Sequence, residues 1–304
     1  MIDAIGGYPE IELRKGEHYH KNALRLNTAR NCFEYVLRAR AYSKVYLPYY
    51  TCEVMLEPLK KCNVKYEFYH INQQLEPIET IHLQPSEAFL YTNYYGLKQQ
   101  SVERLAQIYG SQLIVDNAQA FFAAPIDGID TFYSARKFFG VADGAYLYTD
   151  KLLDIELEQD RSFERMSHLL IRADIGAEAG YAEFRKNDDA LCGEPIKRMS
   201  RLTEKILCSI DYETCKEIRR KNYQLLDQHL KKTNDIQFTL DEDATPMVYP
   251  YLTNDLQLRT RLLDKRIYVA TYWPNIDDNI GLESQLKLQL LPIPLTVQIM
   301  SIIK

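Results

Sequence analysis

The sequence lacks the features that would assign the protein to a membrane, nucleic-acid or metal class. No apolar run approaches the roughly 20 residues that a transmembrane helix needs. The 37 Lys and Arg residues are outnumbered by 42 Asp and Glu residues, so the net charge of −5 gives no basic excess to attract nucleic acid. Six dispersed cysteines without a CxxC pair and six dispersed histidines argue against a disulfide framework and a zinc site. We expect no metal site, no membrane span and no nucleic-acid partner.

The N-terminal stretch bears on the compartment. The opening run MIDAIGGYPEIEL lacks the basic and apolar regions of a signal peptide, and dispersed cysteines are typical of a reducing environment. The expected location is therefore the cytoplasm. His18 and His20 could ligate a metal, but we favour an exposed N-terminal segment, because a metal site needs more ligands in a defined geometry.

The composition is that of a globular protein. The chain has 304 residues, of which 46% are hydrophobic and 26% are charged, enough for one large or two modest domains. Tyrosine is abundant, with 23 residues against 11 Phe and one Trp. Both amphipathic packing and a polar ligand pocket would account for this excess, and composition does not choose between them.

Short apolar strands alternate with helices in the first half of the chain. Such alternation predicts an α/β fold with a largely parallel sheet, covered by helices on both faces. Ligands of such sheets gather at the carboxyl ends of the strands. The predicted strands are 44–48, 64–69, 88–91, 112–115, 130–133 and 145–149, and the predicted helices between them are 53–61 and 101–109.

An earlier helix is predicted to begin at Asn27 or Thr28. Either residue can cap a helix, and Phe33, Val36 and Leu37 follow at helical spacing. The free amides at such a helix start can bind a phosphate. A capped helix without a ligand is the simpler interpretation of this segment alone.

The second half of the chain is predicted to be helical first and mixed afterwards. Its charged run 217–221 is expected to face solvent. The predicted division is a large domain at 1–190, followed by linking helices and a small C-terminal α/β domain at 191–304. The expected helices are in 152–190, in 199–230 (two helices divided near 209–211), at 256–265 and at 296–303, and the expected strands are 247–251 and 268–272.

The clearest chemical pattern lies between residues 113 and 150. One strand ends at Asp116, with Gln119 three residues later, and the next strand leads to Ser134 and Lys137. Pyridoxal phosphate (PLP) chemistry needs such a pair, because a lysine amine forms the Schiff base and a carboxylate holds the pyridinium nitrogen protonated. Ser134 could reach the cofactor phosphate. A helix-capping Asp116 and a solvated Lys137 remain the alternatives.

With these segments placed, the sequence resembles the sugar-nucleotide aminotransferases of the DegT–StrS group, which are fold-type I PLP enzymes. Asp-Asn-Ala-Gln-Ala looks like the family's Asp-x-Ala-Gln-Ala, and Thr-Ala-Arg-Asn-Cys-Phe looks like its phosphate loop. The resemblance runs in the right order over nearly the whole chain, as a shortened and divergent member. It is carried mainly by residues 28–33, 47–52, 93–96, 116–120 and 132–137.

The resemblance implies a three-layer fold-type I large domain with a mainly parallel sheet, a small C-terminal α/β domain, and a homodimer. It implies Lys137 as the Schiff-base lysine and general acid–base, Asp116 at the pyridinium nitrogen, and Gln119 near the phenolic oxygen of the cofactor. The other implied cofactor-binding residues are Thr28, Ala29, Arg30 and Ser134 at the phosphate, Tyr50 stacked on the ring, and Asn93 where the family has a histidine.

The implied activity is an aminotransferase that moves an amine from an amino acid, with glutamate expected, to a keto sugar nucleotide in surface polysaccharide or amino-sugar biosynthesis. The sequence departs from the family pattern in four places: Asn93 replaces the histidine, Ala29 replaces a loop glycine, Ser134 stands three rather than five residues before the lysine, and Ile196-Lys197-Arg198 stands where the family has an Asn-x-Arg segment. Two alternatives therefore stay open, a PLP-dependent sugar dehydratase or lyase and a non-catalytic PLP-fold binding protein.

Overall fold

A seven-stranded mixed sheet forms the centre of the protein. The computed structural model describes residues 6–295 of the chain. Its strands are β1 (Leu24–Leu26), β2 (Lys44–Pro48), β3 (Lys65–Tyr69), β4 (Glu87–Thr92), β5 (Leu113–Asn117), β6 (Asp130–Ser134), β7 (Ala145–Tyr148), β8 (Val248–Leu252) and β9 (Leu290–Pro294). The first seven share one sheet in the order β1-β7-β6-β5-β4-β2-β3, while β8 and β9 pair with each other.

The sheet is mainly parallel. Strands β3, β2, β4, β5 and β6 are parallel neighbours. Only β7 runs against both of its neighbours, β6 and β1. A parallel connection must cross over the sheet: the helix Leu56–Lys61 lies between β2 and β3 and the helix Gln99–Tyr109 between β4 and β5, while the connection from β5 to β6 contains no helix. The expected α/β class with a mainly parallel sheet is confirmed.

Helices cover both faces of the sheet. They are α1 (Ala29–Arg40), α2 (Leu56–Lys61), α3 (Gln99–Tyr109), α4 (Ser167–Asp174), α5 (Ala177–Ala190), α6 (Arg201–Cys208), α7 (Tyr212–Leu230), α8 (Leu258–Asp264) and α9 (Leu282–Gln289). The expected pair of helices in 199–230 is confirmed as α6 and α7. None of the helices in the described part of the chain has the length and apolar content to cross a membrane.

Side chains of β4 show the three layers directly. Phe89 and Tyr91 belong to one buried cluster, which includes residues of α3. Ala88 and Leu90 belong to a second buried cluster, which includes residues of α1 and α2. Because successive side chains of a strand point to opposite faces, these two clusters are the cores on either side of the sheet.

Packing accounts for much of the tyrosine excess. Several tyrosines are completely buried, and some of their hydroxyl groups donate to backbone carbonyl groups. Tyr91 donates to Leu75 O at 2.9 Å, and Tyr94 donates to Tyr50 O at 2.9 Å. A buried ring with a bonded hydroxyl is the amphipathic packing role expected of tyrosine.

The prediction of a helix that begins at residue 152 is wrong for residues 152–162. The described helices of this region, α4 and α5, begin later. The backbone of 158–160 instead pairs with a distant residue: Arg198 N–H donates to Glu158 O at 2.8 Å, and Asp160 N–H donates to Arg198 O at 3.0 Å. These bonds occupy the groups that a helix would have used internally.

The strand expected at 268–272 is also absent from the structure. The carbonyl groups of Val269 and Ala270 accept from the Arg259 guanidinium at 3.0 and 2.9 Å, so a side chain replaces the strand partner. Strands β1 and β9 were not expected. The helix predicted at 296–303 lies outside the described residues.

The N-terminal segment around His18 and His20 is not exposed, contrary to the expectation. Both imidazoles are buried against the β6–β7 side of the sheet. His18 Nδ1 lies 2.7 Å from the Tyr146 hydroxyl, and His20 Nε2 lies 2.8 Å from Phe121 O. Among the residues that the structure describes, no group of three His, Cys, Asp or Glu side chains could hold a metal ion.

The charged run 217–221 does not simply face solvent either. Arg219 Nη1 donates to Met247 O at 2.9 Å, and the Arg220 guanidinium donates to Ala244 O. Arg219, Tyr223 and Leu226 follow at helical spacing, and the last two are buried. Its helical spacing from Tyr223 and Leu226 is the feature of the sequence that could have predicted that Arg219 points inward.

One buried cluster contains residues from both sides of the predicted boundary at 190/191. Tyr50 and Phe89 belong to it together with Tyr249, Trp273 and Leu291. The division into domains at 1–190 and 191–304 stays a prediction.

Candidate active site

The strand register brings three parts of the chain to one edge of the sheet. Asp116 pairs with Phe132, two residues before Ser134. Ser134 and Leu26 both pair with Ala145, from its two sides. The start of α1 follows Leu26 closely, so it lies at the same edge as the ends of β5 and β6.

Asp116 is a buried acid with a lysine close by. It is 6% exposed, and its Oδ1 accepts from Ala118 N–H at 2.8 Å. Burial raises the pKa of Asp116, while the nearby positive charge of Lys137 and the Ala118 N–H act to lower it. Lys137 itself is exposed and makes no hydrogen bond or ion pair with any described residue. The structure therefore brings the predicted acid and the predicted lysine together.

Gln119 has a free donor in this region. Its Oε1 accepts from Tyr95 N–H at 3.1 Å, while its buried Nε2 has no partner among the described residues. Asn93, in contrast, uses both the oxygen and the nitrogen of its side chain in hydrogen bonds to the adjoining turn. Its Oδ1 accepts from Lys98 N–H at 3.0 Å, and its Nδ2 donates to Gln99 Oε1 at 3.2 Å. Asn93 thus shapes the turn that presents Tyr95 to Gln119.

The start of α1 retains unpaired amides. Thr28 is the N-cap, and its Oγ1 accepts from Asn31 N–H at 3.1 Å. The N–H groups of Ala29 and Arg30 are among the first of the helix, which have no partner within it. The Arg30 side chain is already engaged, because its Nη1 donates to Glu57 Oε2 at 2.9 Å. This segment therefore offers backbone donors rather than the guanidinium.

Tyr50, which is expected to stack on the ring of the cofactor, lies in the protein core. Its completely buried ring packs edge-on against Trp273, with ring centroids 4.7 Å apart, and its hydroxyl lies 3.4 Å from that of Tyr95. Cys52, two residues further on, is near enough to Lys137 and Asp116 for their charges to act on its pKa. Burial raises the pKa of the Cys52 thiol, and the charge of Lys137 acts to lower it.

The structure thus gathers Asp116 and Lys137, with Ser134 and the start of α1 at the same edge, and sets Tyr50 and Asn93 into surrounding structure. Sequence reasoning missed Cys52. The two-residue step from Tyr50 to Cys52 depends on the turn that follows β2, in which Thr51 N–H donates to Tyr49 O at 2.9 Å. A residue pattern does not predict the direction in which each side chain leaves such a turn.

Comparisons with known proteins show where this architecture has been seen. No protein-family model matches the chain, and no curated protein matches its sequence. Solved structures do match. A DegT DnrJ EryC1 StrS aminotransferase from Brucella abortus has a TM-score of 0.57 at 11% identity, over 91% of this chain and 82% of that one.

Two further solved structures are similar to the same extent. NtdA from Bacillus subtilis, with the bound cofactor PMP, has a TM-score of 0.59 at 14% identity, over 90% of this chain and 69% of that one. PseC from Helicobacter pylori, an aminotransferase involved in the biosynthesis of pseudoaminic acid, has a TM-score of 0.57 at 13% identity, over 92% and 83%.

The chain shares its fold with these aminotransferase structures. The fold that the sequence resemblance implied is therefore confirmed. At 11% to 14% identity the likeness to these structures is one of fold. The aminotransferase fold places ligands at the carboxyl ends of its parallel strands, which is the edge that carries Asp116 and Ser134.

The residues at this edge of the aminotransferase fold fit PLP. The buried Nε2 of Gln119 is a donor that needs an acceptor, which a phenolic oxygen would supply. A buried acid without an ion pair suits a ring nitrogen, and the unpaired amides at the start of α1 suit a phosphate. Lys137 supplies an amine that no described residue engages.

Proposed function

We propose that the protein is a PLP-dependent aminotransferase that transfers an amine from an amino acid, glutamate in the first instance, to a keto sugar nucleotide. The observation that carries the proposal is the unengaged amine of Lys137 beside the buried carboxylate of Asp116. The similarity to aminotransferases supports the reaction class, and the similarity to an enzyme of pseudoaminic acid biosynthesis supports a sugar acceptor in surface polysaccharide or amino-sugar biosynthesis.

Each residue has a distinct part in this proposal. When bound, PLP supplies the electron sink that amine transfer needs. Lys137 would hold the cofactor through Nζ, and its amine would carry the proton that moves during transfer. Asp116 holds a proton on the ring nitrogen.

The remaining residues bind and orient. Gln119 Nε2 would donate to the phenolic oxygen of the cofactor. The amides of Ala29 and Arg30, at the helix start that Thr28 caps, hold the phosphate together with the Ser134 hydroxyl. Because these amides sit on a 12-residue helix, its dipole adds to the attraction for the phosphate.

A homodimer in the cytoplasm completes the proposal. Lys137 is exposed in the single chain, whereas amine transfer requires that water be kept from the reacting atoms. A second copy of the chain would cover this edge of the sheet. Light scattering of the purified protein tests it, with a mass of twice 35.6 kDa expected.

Absorption spectroscopy tests the cofactor and its lysine. Purified protein with added PLP should show an absorption band of lysine-bound cofactor that borohydride abolishes, and Lys137→Ala should lack it. Lys151→Ala is the matched control, because Lys151 is an exposed lysine outside the site. The absence of a band in the wild-type protein would reject the proposal and favour a non-catalytic binding protein.

Incubation with glutamate then tests the reaction. A transaminase should convert the loaded cofactor to its pyridoxamine form and release 2-oxoglutarate in equal amount. A loaded protein that releases the corresponding 2-oxo acid neither from glutamate nor from other common amino acids would instead support a dehydratase or lyase.

A further inference from the structure

Arg219 is a half-buried cation without an acidic partner. It lies on α7, and its guanidinium forms no ion pair with any Asp or Glu among residues 6–295. Its surroundings lower the pKa of the guanidinium through burial, with no nearby carboxylate to oppose this. A desolvated charge without a counter-ion is unfavourable unless a partner joins it later.

One side of Arg219 touches the segment that carries the candidate lysine. Its guanidinium carbon lies 4.8 Å from the centre of the Phe138 ring, the geometry of a cation–π contact. Phe138 directly follows Lys137 in the chain. Arg219 is therefore fixed beside the lysine turn.

The other side of Arg219 connects to Gln119. Arg219 Nη1 donates to Met247 O at 2.9 Å. Met247 N–H donates to Tyr95 O at 2.8 Å, and Tyr95 N–H donates to Gln119 Oε1 at 3.1 Å. Arg219 is thus attached at both ends to segments that bear residues of the candidate site.

The donors of Arg219 are mostly unused. A guanidinium has five N–H donors in a planar fork, and the described residues provide Arg219 with a single hydrogen-bond acceptor. Arg259 provides the contrast, because it donates to the carbonyl groups of Val269, Ala270 and Leu290. Arg259 thus has three hydrogen-bond acceptors within the described part of the fold, whereas Arg219 has one.

We propose that Arg219 binds a carboxylate of the amino-acid donor in the reaction proposed above, on which this inference rests. A guanidinium fork matches a carboxylate with two parallel charge-assisted hydrogen bonds. One positive charge also balances one carboxylate, whereas a sugar-nucleotide diphosphate carries more negative charge than this position can balance. Arg219 would then select donors by their carboxylate.

Binding of glutarate to PLP-loaded protein tests the proposal by calorimetry. Glutarate is a dicarboxylate without an amine, so it reports recognition without turnover. Arg219→Gln should weaken glutarate binding by about tenfold to a hundredfold, the range for losing charged hydrogen bonds. Arg219→Lys should weaken it less, because it keeps the charge and loses the fork. Should the Gln variant not fold, the Lys variant decides alone: a several-fold loss supports the proposal and unchanged binding rejects it.

Arg220→Gln is the matched control. Arg220 is the next residue of α7, and its guanidinium contacts the carbonyl groups of Asp241 and Ala244. Its substitution should leave glutarate binding unchanged. An equal loss in both variants would show a structural effect of α7 and overturn the proposal.

Binding of pyrophosphate, as a second probe, distinguishes recognition of a phosphate from recognition of a carboxylate. Loss of pyrophosphate binding with retained glutarate binding in Arg219→Gln would show that Arg219 recognises phosphate, and it would overturn the proposal. Failure of wild-type protein to bind glutarate at all would do the same. The absorption band distinguishes failure of the Arg219 proposal from failure of the proposed function. If the wild-type protein shows the band and Arg219→Gln does not change the affinity for glutarate, only the Arg219 proposal is refuted.

The kinetic signature of turnover adds a check against a purely positioning role. Arg219→Lys should raise KM for glutamate more than it lowers kcat, because a carboxylate contact is made in both ground state and transition state. A fall in kcat with unchanged KM would indicate that Arg219 acts only by holding the turn of Lys137, and would contradict carboxylate binding.

Discussion

At the scale of single residues, the buried charges of this protein differ in how completely they are paired. Arg40, at the end of α1, reaches Asp130 at the start of β6 with Nε and Nη2 at 2.8 and 2.9 Å. Asp130 is completely buried, and Arg40 also contacts the exposed Asp150. This fork joins a helix end to the central sheet.

Asp130→Ala should therefore destabilise the protein strongly. The substitution leaves the Arg40 guanidinium largely buried without its main partner, which typically costs about 3–5 kcal/mol. Asp150→Ala removes an exposed partner of the same arginine and should cost no more than about 1 kcal/mol. Urea unfolding of both variants measures the difference, and equal losses would contradict this account of the pair.

Asp116→Asn should have opposite effects on stability and on function. Because burial raises the pKa of Asp116, a neutral side chain of the same shape should increase the free energy of unfolding of the cofactor-free protein at neutral pH. The same change removes the carboxylate that holds a proton on the ring nitrogen, so transfer from glutamate should slow by on the order of 100-fold.

The two effects of Asp116→Asn are measured separately. Thermal unfolding of cofactor-free protein gives the first, and single-turnover formation of 2-oxoglutarate gives the second, with the lysine-bound absorption band as a check on loading. A variant that is both less stable and fully active would contradict the role of Asp116 in the candidate site.

At the scale of secondary-structure elements, the N-cap of α1 joins stability to the candidate phosphate site. Thr28→Ala removes the acceptor for Asn31 N–H and should cost about 1 kcal/mol of stability. It should also weaken PLP binding, because the helix start loses its fixed shape. Thr239→Ala, at an exposed position, is the control and should change stability by less than about 0.5 kcal/mol.

The helical pair α4 and α5 depends on a glycine at its contact. A Cβ added at Gly180 would lie 2.8 Å from the backbone oxygen of His168. Gly180→Ala should therefore destabilise the protein by about 1–3 kcal/mol through overpacking, although alanine favours a helix by about 1 kcal/mol over glycine. A stabilised variant, by thermal unfolding, would show that the two helices can separate without loss.

At the scale of the whole molecule, the N-terminal segment makes the stability of the protein sensitive to low pH. Burial lowers the pKa of His18 and of His20 to about 4, in both cases as the largest cause. Each is neutral in the folded protein and accepts or donates within hydrogen bonds to Tyr146, Tyr148 and Phe121. Arg25 is the charged group that acts on His18.

The direction in which stability changes with pH follows from the lowered pKa values of the two histidines. The unfolded chain takes up protons near pH 6.5 and the folded chain only near pH 4, so the stability that these residues contribute is complete above about 6.5 and is lost as the pH falls toward 4. The loss amounts to about 3 kcal/mol per histidine at most. His20→Gln should flatten the dependence, measured by urea unfolding at pH 7 and pH 5. An equally steep loss in the variant would place the acid sensitivity elsewhere.

The sequence by itself determined the parts of this protein that rest on short-range patterns. Alternating apolar strands and amphipathic helices predicted the parallel sheet, because each pattern follows from the geometry of its own element. Asp116 and Lys137 were predicted as partners because PLP chemistry needs an acid and a lysine that follow successive strands, and the parallel pairing of β5 with β6 brings those strand ends to one edge of the sheet.

Only the tertiary structure decided the features that depend on contacts between distant residues. The backbone of 158–160 pairs with Arg198 instead of forming a helix, and the carbonyl groups of Val269 and Ala270 pair with Arg259 instead of a strand. Likewise, the burial of His20 and the inward turn of Arg219 are set by residues far along the chain. A local pattern fixes how a segment can fold, but the surrounding chain decides which polar groups are left for it to satisfy, and therefore which side chains remain free to bind a ligand.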